Sequence, residues 1–123
     1  MKKLFFSVSF IFLLFAFSCK KDEPFEKYEG SWSGSYTGDD KGSWSVRIDD
    51  DGNVTGSATS ESLPIFPINL LGTITEDGVY NAQAITIFNE QVIFQGQLSN
   101  NSAAGSWRND SANFSGSWSG LKN

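Results

Sequence analysis

Histidine is absent from all 123 residues, and cysteine occurs once, at Cys19. These two lacks remove whole classes of chemistry. Ser–His–Asp and Cys–His catalysis, zinc centres built from histidine and cysteine, and imidazole acid–base work are excluded. No disulfide can form within the chain. Basic clusters are also missing: Lys and Arg number 9 against 14 Asp and Glu. Once Lys2 and Lys3 are set aside, the formal charge is about −7, which repels nucleic acid and anionic lipid headgroups rather than recruiting them. After Phe17 there is no long apolar run, and after Tyr28 no helical periodicity longer than a turn.

Carboxylates are the remaining catalytic candidates. A glycosidase needs two of them ~5–9.5 Å apart across a cleft, and Asp39, Glu61, Glu90 and Asp110 fall in predicted loops at one end. Nearly all acids here lie in turns, where solvated Asp and Glu are ordinary, so the expectation is a protein without catalytic residues or cofactor. The stretch "RIDDDGNVTG" invites a calcium reading, but with Gly52 at loop position six an EF-hand would begin at Arg47, which cannot ligate a cation. Asp49, Asp50 and Asp51 are read as a tight hairpin, and no metal site is expected.

The first residues carry an address. Met1-Lys2-Lys3, an apolar stretch from Leu4 to Phe17 and the small Ser18 fit a secretion signal over 1–18, too short to span a bilayer. "AFSC" resembles the lipobox of bacterial lipoproteins. The resemblance implies that Cys19 is acylated, with palmitate-type chains, and becomes the mature N-terminus. Two or three acyl chains hold firmly, since each buried methylene contributes ~0.8 kcal/mol. "CKKDE" resembles the charged export signal after the lipidated cysteine in surface lipoproteins of the Bacteroidota, which assigns Lys20, Lys21, Asp22 and Glu23 to export. The implied location is the outer membrane, lipid-anchored and facing the cell exterior. Residues 19–28 then form a lipidated tether and 29–123 one small domain.

That domain reads as strands. Short alternating segments rich in Trp, Val, Ile, Thr and Phe fall at about 29–37, 43–49, 53–60, 67–75, 79–88, 91–99, 102–108 and 113–121, separated by Gly, Asp and Asn clusters. "DDDGN", "TEDGV" and "SNNS" are hairpin turns by composition. Eight strands so joined make an all-β antiparallel up-and-down meander that closes into a small barrel; a β-sandwich is the alternative.

Two segments favour closure. "GSWSGSY" (Gly30 to Tyr36) and "FSGSWSG" (Phe114 to Gly120) are near mirror images, as expected of first and last strands paired antiparallel. The predicted register sets Trp32 opposite Trp118, Gly34 opposite Gly116, and Tyr36 opposite Phe114, giving one aromatic–glycine face and one serine face. All four tryptophans, Trp32, Trp44, Trp107 and Trp118, stand in "GSW". The preceding glycine on the same face is expected to make room for each inward indole.

The early "GSW" ahead of a small meander resembles the calycins, the lipocalin and avidin group of eight-stranded barrels. That resemblance implies that Trp32 lies across one barrel end. The polar Asn and Tyr set of avidins is missing after Trp32, so biotin binding is not carried over.

Strand order puts the 49–53, 75–79 and 99–102 hairpins at the tether end. The opposite mouth is formed by "TGDDKG", "SESLPIFP", "NEQ" and "RNDSAN". There Leu63, Ile65 and Phe66 sit in a loop stiffened by Pro64 and Pro67, either a plug for the barrel or a lid or contact surface. Pairing Phe88 with Val92 predicts an outward apolar strip of Ile85, Ile87 and Ile93. "DSA" resembles an O-glycosylation sequon of Bacteroidota, which marks Ser111.

The expected function is a non-enzymatic outer-membrane surface lipoprotein. Its partners would be the bilayer, through acylated Cys19, and a protein (a larger membrane assembly or an inhibited hydrolase). The alternative is a calycin-like binder of a small apolar or sugar-like ligand among the four indoles.

Overall fold

The computed structural model describes residues 24–123; the signal segment, Cys19 and Lys20–Glu23 lie outside them. Eight strands follow one another: β1 (Gly30–Gly38), β2 (Gly42–Ile48), β3 (Asn53–Ser60), β4 (Ile68–Ile74), β5 (Val79–Ile85), β6 (Gln91–Leu98), β7 (Ser102–Asn109) and β8 (Phe114–Lys122). Each pairs antiparallel with its neighbours, and β8 pairs with β1 to close the barrel. The meander was expected, and so was its closure. The sandwich alternative is excluded.

Period-two alternation sets inside and outside. In β2, Trp44, Val46 and Ile48 are buried while Ser43, Ser45 and Arg47 are exposed. In β6, Val92, Phe94 and Leu98 point inward.

The closing register differs from the mirror match. Trp118 faces Tyr36, Gly120 faces Gly34, Gly116 faces Gly38, and Trp32 faces Lys122. The shift is four residues, so every side chain keeps its predicted face. Its cause is barrel geometry: strands must tilt and stagger to close, whereas symmetry between two segments carries no stagger.

The glycines also act differently from expectation. Gly34 is the β1 residue between Trp44 of β2 and Gly120 of β8, and a side chain at Gly120 would strike the Trp44 ring. Likewise Gly105 lies between Trp118 and Gly96, and a Cβ at Gly96 would stand 2.5 Å from Trp118 Cζ2. Trp107 passes over Gly116 of β8 and donates its indole N–H to Thr37 O of β1 at 2.9 Å. Room for Trp44, Trp107 and Trp118 therefore comes in each case from a glycine on another strand, not from the one two residues earlier in its own.

Buried indole N–H groups need acceptors, and each finds a backbone carbonyl. Trp32 donates to Tyr28 O at 2.8 Å, Trp44 to Ser35 O at 3.3 Å, and Trp118 to Ser106 O at 3.0 Å.

Three hairpins share one local chemistry. In Asp49–Asn53, Thr75–Val79 and Thr86–Glu90, the first residue's N–H donates to the last residue's carbonyl. Its side-chain oxygen accepts from the last residue's N–H. The fourth residue takes positive φ: Gly52 at 83°, Gly78 at 84° and Asn89 at 62°. This is the three-residue loop ending in a left-handed residue.

The end of the barrel where β1 begins is sealed by the residues that precede it. Residues 24–28 form turns, with Tyr28 buried and Phe25 packed on the core. Among the described residues, packing against the core begins at Phe25. Lys122 Nζ donates to Lys27 O at 3.1 Å, pinning the last strand to this seal. Trp32, 1% exposed, lies directly above it.

Candidate functional site

The barrel is filled at the end where β1 begins and hollow towards the opposite mouth. Trp118 meets Trp44 edge-on, ring centres 5.5 Å apart, and contacts Tyr80 at 5.1 Å. With Trp32 beneath, these rings occupy the lower interior. Beyond them opens a cavity of about 460 Å³ at the end opposite the start of β1. Its floor is Tyr36, Phe94 and Trp107, with Tyr36 centred 6.0 Å from Phe94 and 5.6 Å from Trp107. Leu63, Phe66, Ile87, Phe88 and Phe114 form an apolar rim.

All four connections at this end contribute to the cavity. The loop after β1 supplies Asp39 and Asp40, and the one after β3 supplies Ser62, Leu63 and Phe66. The turn after β5 adds Thr86 to Phe88 and Glu90, and the loop after β7 adds Ala112. Each polar group is held. Ser60 Oγ donates to Asp40 Oδ1 at 3.0 Å, and the Ser115 N–H donates to Asp39 Oδ2 at 2.9 Å. Buried Asn109 donates from Nδ2 to Glu90 Oε1 at 2.9 Å, and its Oδ1 accepts the Ala112 N–H at 3.1 Å. The Tyr36 phenol is pushed up to about 12, first by burial and then by the charge of Asp40, so it stays protonated and neutral at physiological pH.

The expected site residues divide. Among the indoles, only Trp107 reaches the cavity; Trp32, Trp44 and Trp118 are structural filling below it. Leu63 and Phe66 form part of its wall, so the "LPIFP" loop leaves the barrel unplugged, while Ile65 points out at 75% exposure. The predicted isoleucine strip is not continuous. β5 and β6 pair four residues away from the predicted register, so Ile85 faces Gln91 and Ile93 faces Gln83. Ile87 sits in the Thr86–Glu90 turn, where it borders the cavity. Asp39 and Glu90 line the cavity, whereas Glu61 and Asp110 are exposed beside Lys41 and Arg108. Ser111 is exposed in the turn between β7 and β8.

The three aspartates of the β2–β3 hairpin bring carboxylate oxygens within 4.8 Å of one another, all exposed. Asp49 is committed to the turn: it accepts the N–H groups of Asp51 and Asn53, each at 2.9 Å. The bond from Asn53 is the main influence lowering its pKa.

Sequence reasoning missed Tyr36, Asp40, Phe88 and Asn109 as cavity residues. One signal was available for Phe88. "TIFNE" repeats the pattern of "TEDGV", Thr first and a φ-tolerant residue fourth, which marks a turn with Ile87 and Phe88 at its tip. Apolar residues at a turn tip are unusual enough to suggest a contact.

On the outside, β4 and β5 pair over four residues only, Leu71 to Ile74 against Gln83 to Tyr80, the shortest ladder in the barrel. Towards the mouth the two strands part. Ile68, Thr86 and Ile87 border the inner cavity on one side and, on the other, an outer depression that includes Leu71 and Ile85.

No protein-family model matches this chain, and no curated protein matches it significantly.

Proposed function

We propose that this protein is a non-enzymatic binding module, held at the outer membrane by acylated Cys19 and facing outward, with the cavity at the free end of the barrel as its ligand site. One observation carries the reading. The interior is solid where the tether enters and hollow where it does not, with an aromatic floor and a wall of oriented polar groups. A few convergent polar groups in an apolar concavity of ~300–1,000 Å³ are the usual make-up of a small-molecule site. An eight-stranded meander with a Gly-x-Trp on its first strand also suits a calycin-like module. Ligand contacts then belong to Tyr36, Leu63, Phe66, Phe94 and Trp107, not to the four indoles together.

The test is titration of the acylated mature protein with the uncharged fluorophore N-phenyl-1-naphthylamine. Saturable binding with quenching of tryptophan emission is expected, and it should be lost in Ala58→Phe, which fills the cavity from the β3 wall. Absence of saturable binding by the folded wild-type protein would sink the reading.

A protein partner is the second reading, favoured by the exposure of Ile65, Phe66, Ile87, Phe88 and Phe114 around the mouth. Cross-linking from position 65 on intact cells distinguishes it: one discrete adduct supports a docked partner.

A further inference from the structure

Charge at the mouth has one sign. The charged residues lining the cavity are Asp39, Asp40 and Glu90, with no Lys or Arg among them. The two basic residues close by in the chain turn away into exposed ion pairs, Lys41 with Glu61 at 3.9 Å and Arg108 with Asp110 at 3.3 Å. Asp40 and Glu90 are half-buried, and among the described residues neither has a basic side chain at ion-pair distance. Their side-chain donors are neutral: the hydroxyls of Ser60 and Ser62 for Asp40, the amide of Asn109 for Glu90. Neutral donors orient a carboxylate without cancelling its charge, and a partly desolvated anion lacking a counter-charge is undercompensated.

The same cavity is lined by the buried rings of Tyr36, Phe94 and Trp107 and by the exposed rings of Phe66, Phe88 and Phe114. The faces of such rings carry negative quadrupole density that attracts cations. Both the carboxylates and the rings favour positive charge, while the volume and apolar rim favour an organic body.

We propose that the cavity selects organic cations, molecules with an ammonium group on an apolar or aromatic frame. The proposal rests on the cavity being the ligand site and adds the sign of the charge it takes. The ammonium is drawn by the combined charge of Asp39, Asp40 and Glu90 towards the aromatic floor, and the frame lies against Leu63 and Phe66. Anionic ligands of the same shape are repelled by three carboxylates and meet no basic group.

The test compares three soluble probes of similar size on the acylated mature protein in neutral detergent: 2-phenylethylammonium, 2-phenylethanol and phenylacetate. Affinity is read by calorimetry. The ammonium should bind at least tenfold more tightly than the alcohol, with no measurable binding of the acid, and the preference should shrink as salt rises. In Asp40→Asn/Glu90→Gln, with the fold checked by circular dichroism, ammonium and alcohol should bind alike. Equal binding of ammonium and alcohol by the wild-type protein overturns the charge selection and leaves the cavity as a neutral site. Failure of all three to bind overturns the cavity reading as well.

Discussion

Replacing Gly116 with alanine tests how the barrel closes, because two effects predict opposite signs. In an ordinary strand, glycine costs ~0.5–1 kcal/mol relative to alanine through the freedom it loses on folding, so the substitution should stabilise. Here a methyl group on Gly116 would run into Thr37 O of β1 and stand 2.7 Å from Trp107 Nε1. That carbonyl accepts the Trp107 indole N–H. The methyl therefore pushes the first and last strands apart and separates a buried donor from its acceptor. Overpacking of this kind costs ~1–3 kcal/mol, and a buried donor left unsatisfied costs another ~1–3 kcal/mol. Set against the glycine term, the expected loss is about 1–5 kcal/mol. For a domain of this size that lowers the thermal midpoint by on the order of 5–40 °C. Ser117→Ala, on the outer face, is the control and should move the midpoint little. Thermal unfolding followed by tryptophan emission reads both. A midpoint for Gly116→Ala equal to or above wild type would mean that the indole does not cross β8 there.

Trp107→Phe removes the same hydrogen bond without crowding the seam, and should lower stability by about 1–2 kcal/mol in urea titrations while enlarging the cavity. Alkaline pH should weaken the fold. Tyr36 is raised to about 12, and burial raises Tyr80 as well, both above the unfolded value of about 10. Their contribution is whole below pH 10 and is lost as pH climbs towards 12; Tyr36→Phe should flatten the fall of the urea midpoint across that window. Cys19→Ala should move the protein out of the membrane fraction with the melting of its domain unchanged, and retention in that fraction would refute acylation.

Much of the fold was legible because a barrel strand repeats with period two. "WSVRI" and "VIFQGQL" display their inward and outward sides directly, and the mirrored ends pointed to closure. The grouping of "TGDDKG", "SESLPIFP", "NEQ" and "RNDSAN" at one mouth followed from strand order alone. Register did not follow, since Trp32 opposite Trp118 and Trp32 opposite Lys122 place the same side chains inside. Only the stagger of a closed sheet separates them. Whether the interior was filled could not be read either. That depends on how far each indole reaches across neighbouring strands, which is a matter of ring placement over Gly96, Gly116 and Gly120. The turn at Thr86 was hidden because Ile87 and Phe88 look like strand residues. Their apolarity belongs to the mouth.

The parting of β4 from β5 bears on the dimensions of what the barrel can hold. A closed sheet resists enlargement because spreading any two strands breaks the bonds between them. Above Leu71 and Gln83 that resistance is missing, so the wall can yield there while the other seven seams stay intact. If the cavity is a ligand site as proposed, a guest longer than the hollow has a second direction besides the open mouth, sideways between these strands and onto Leu71 and Ile85.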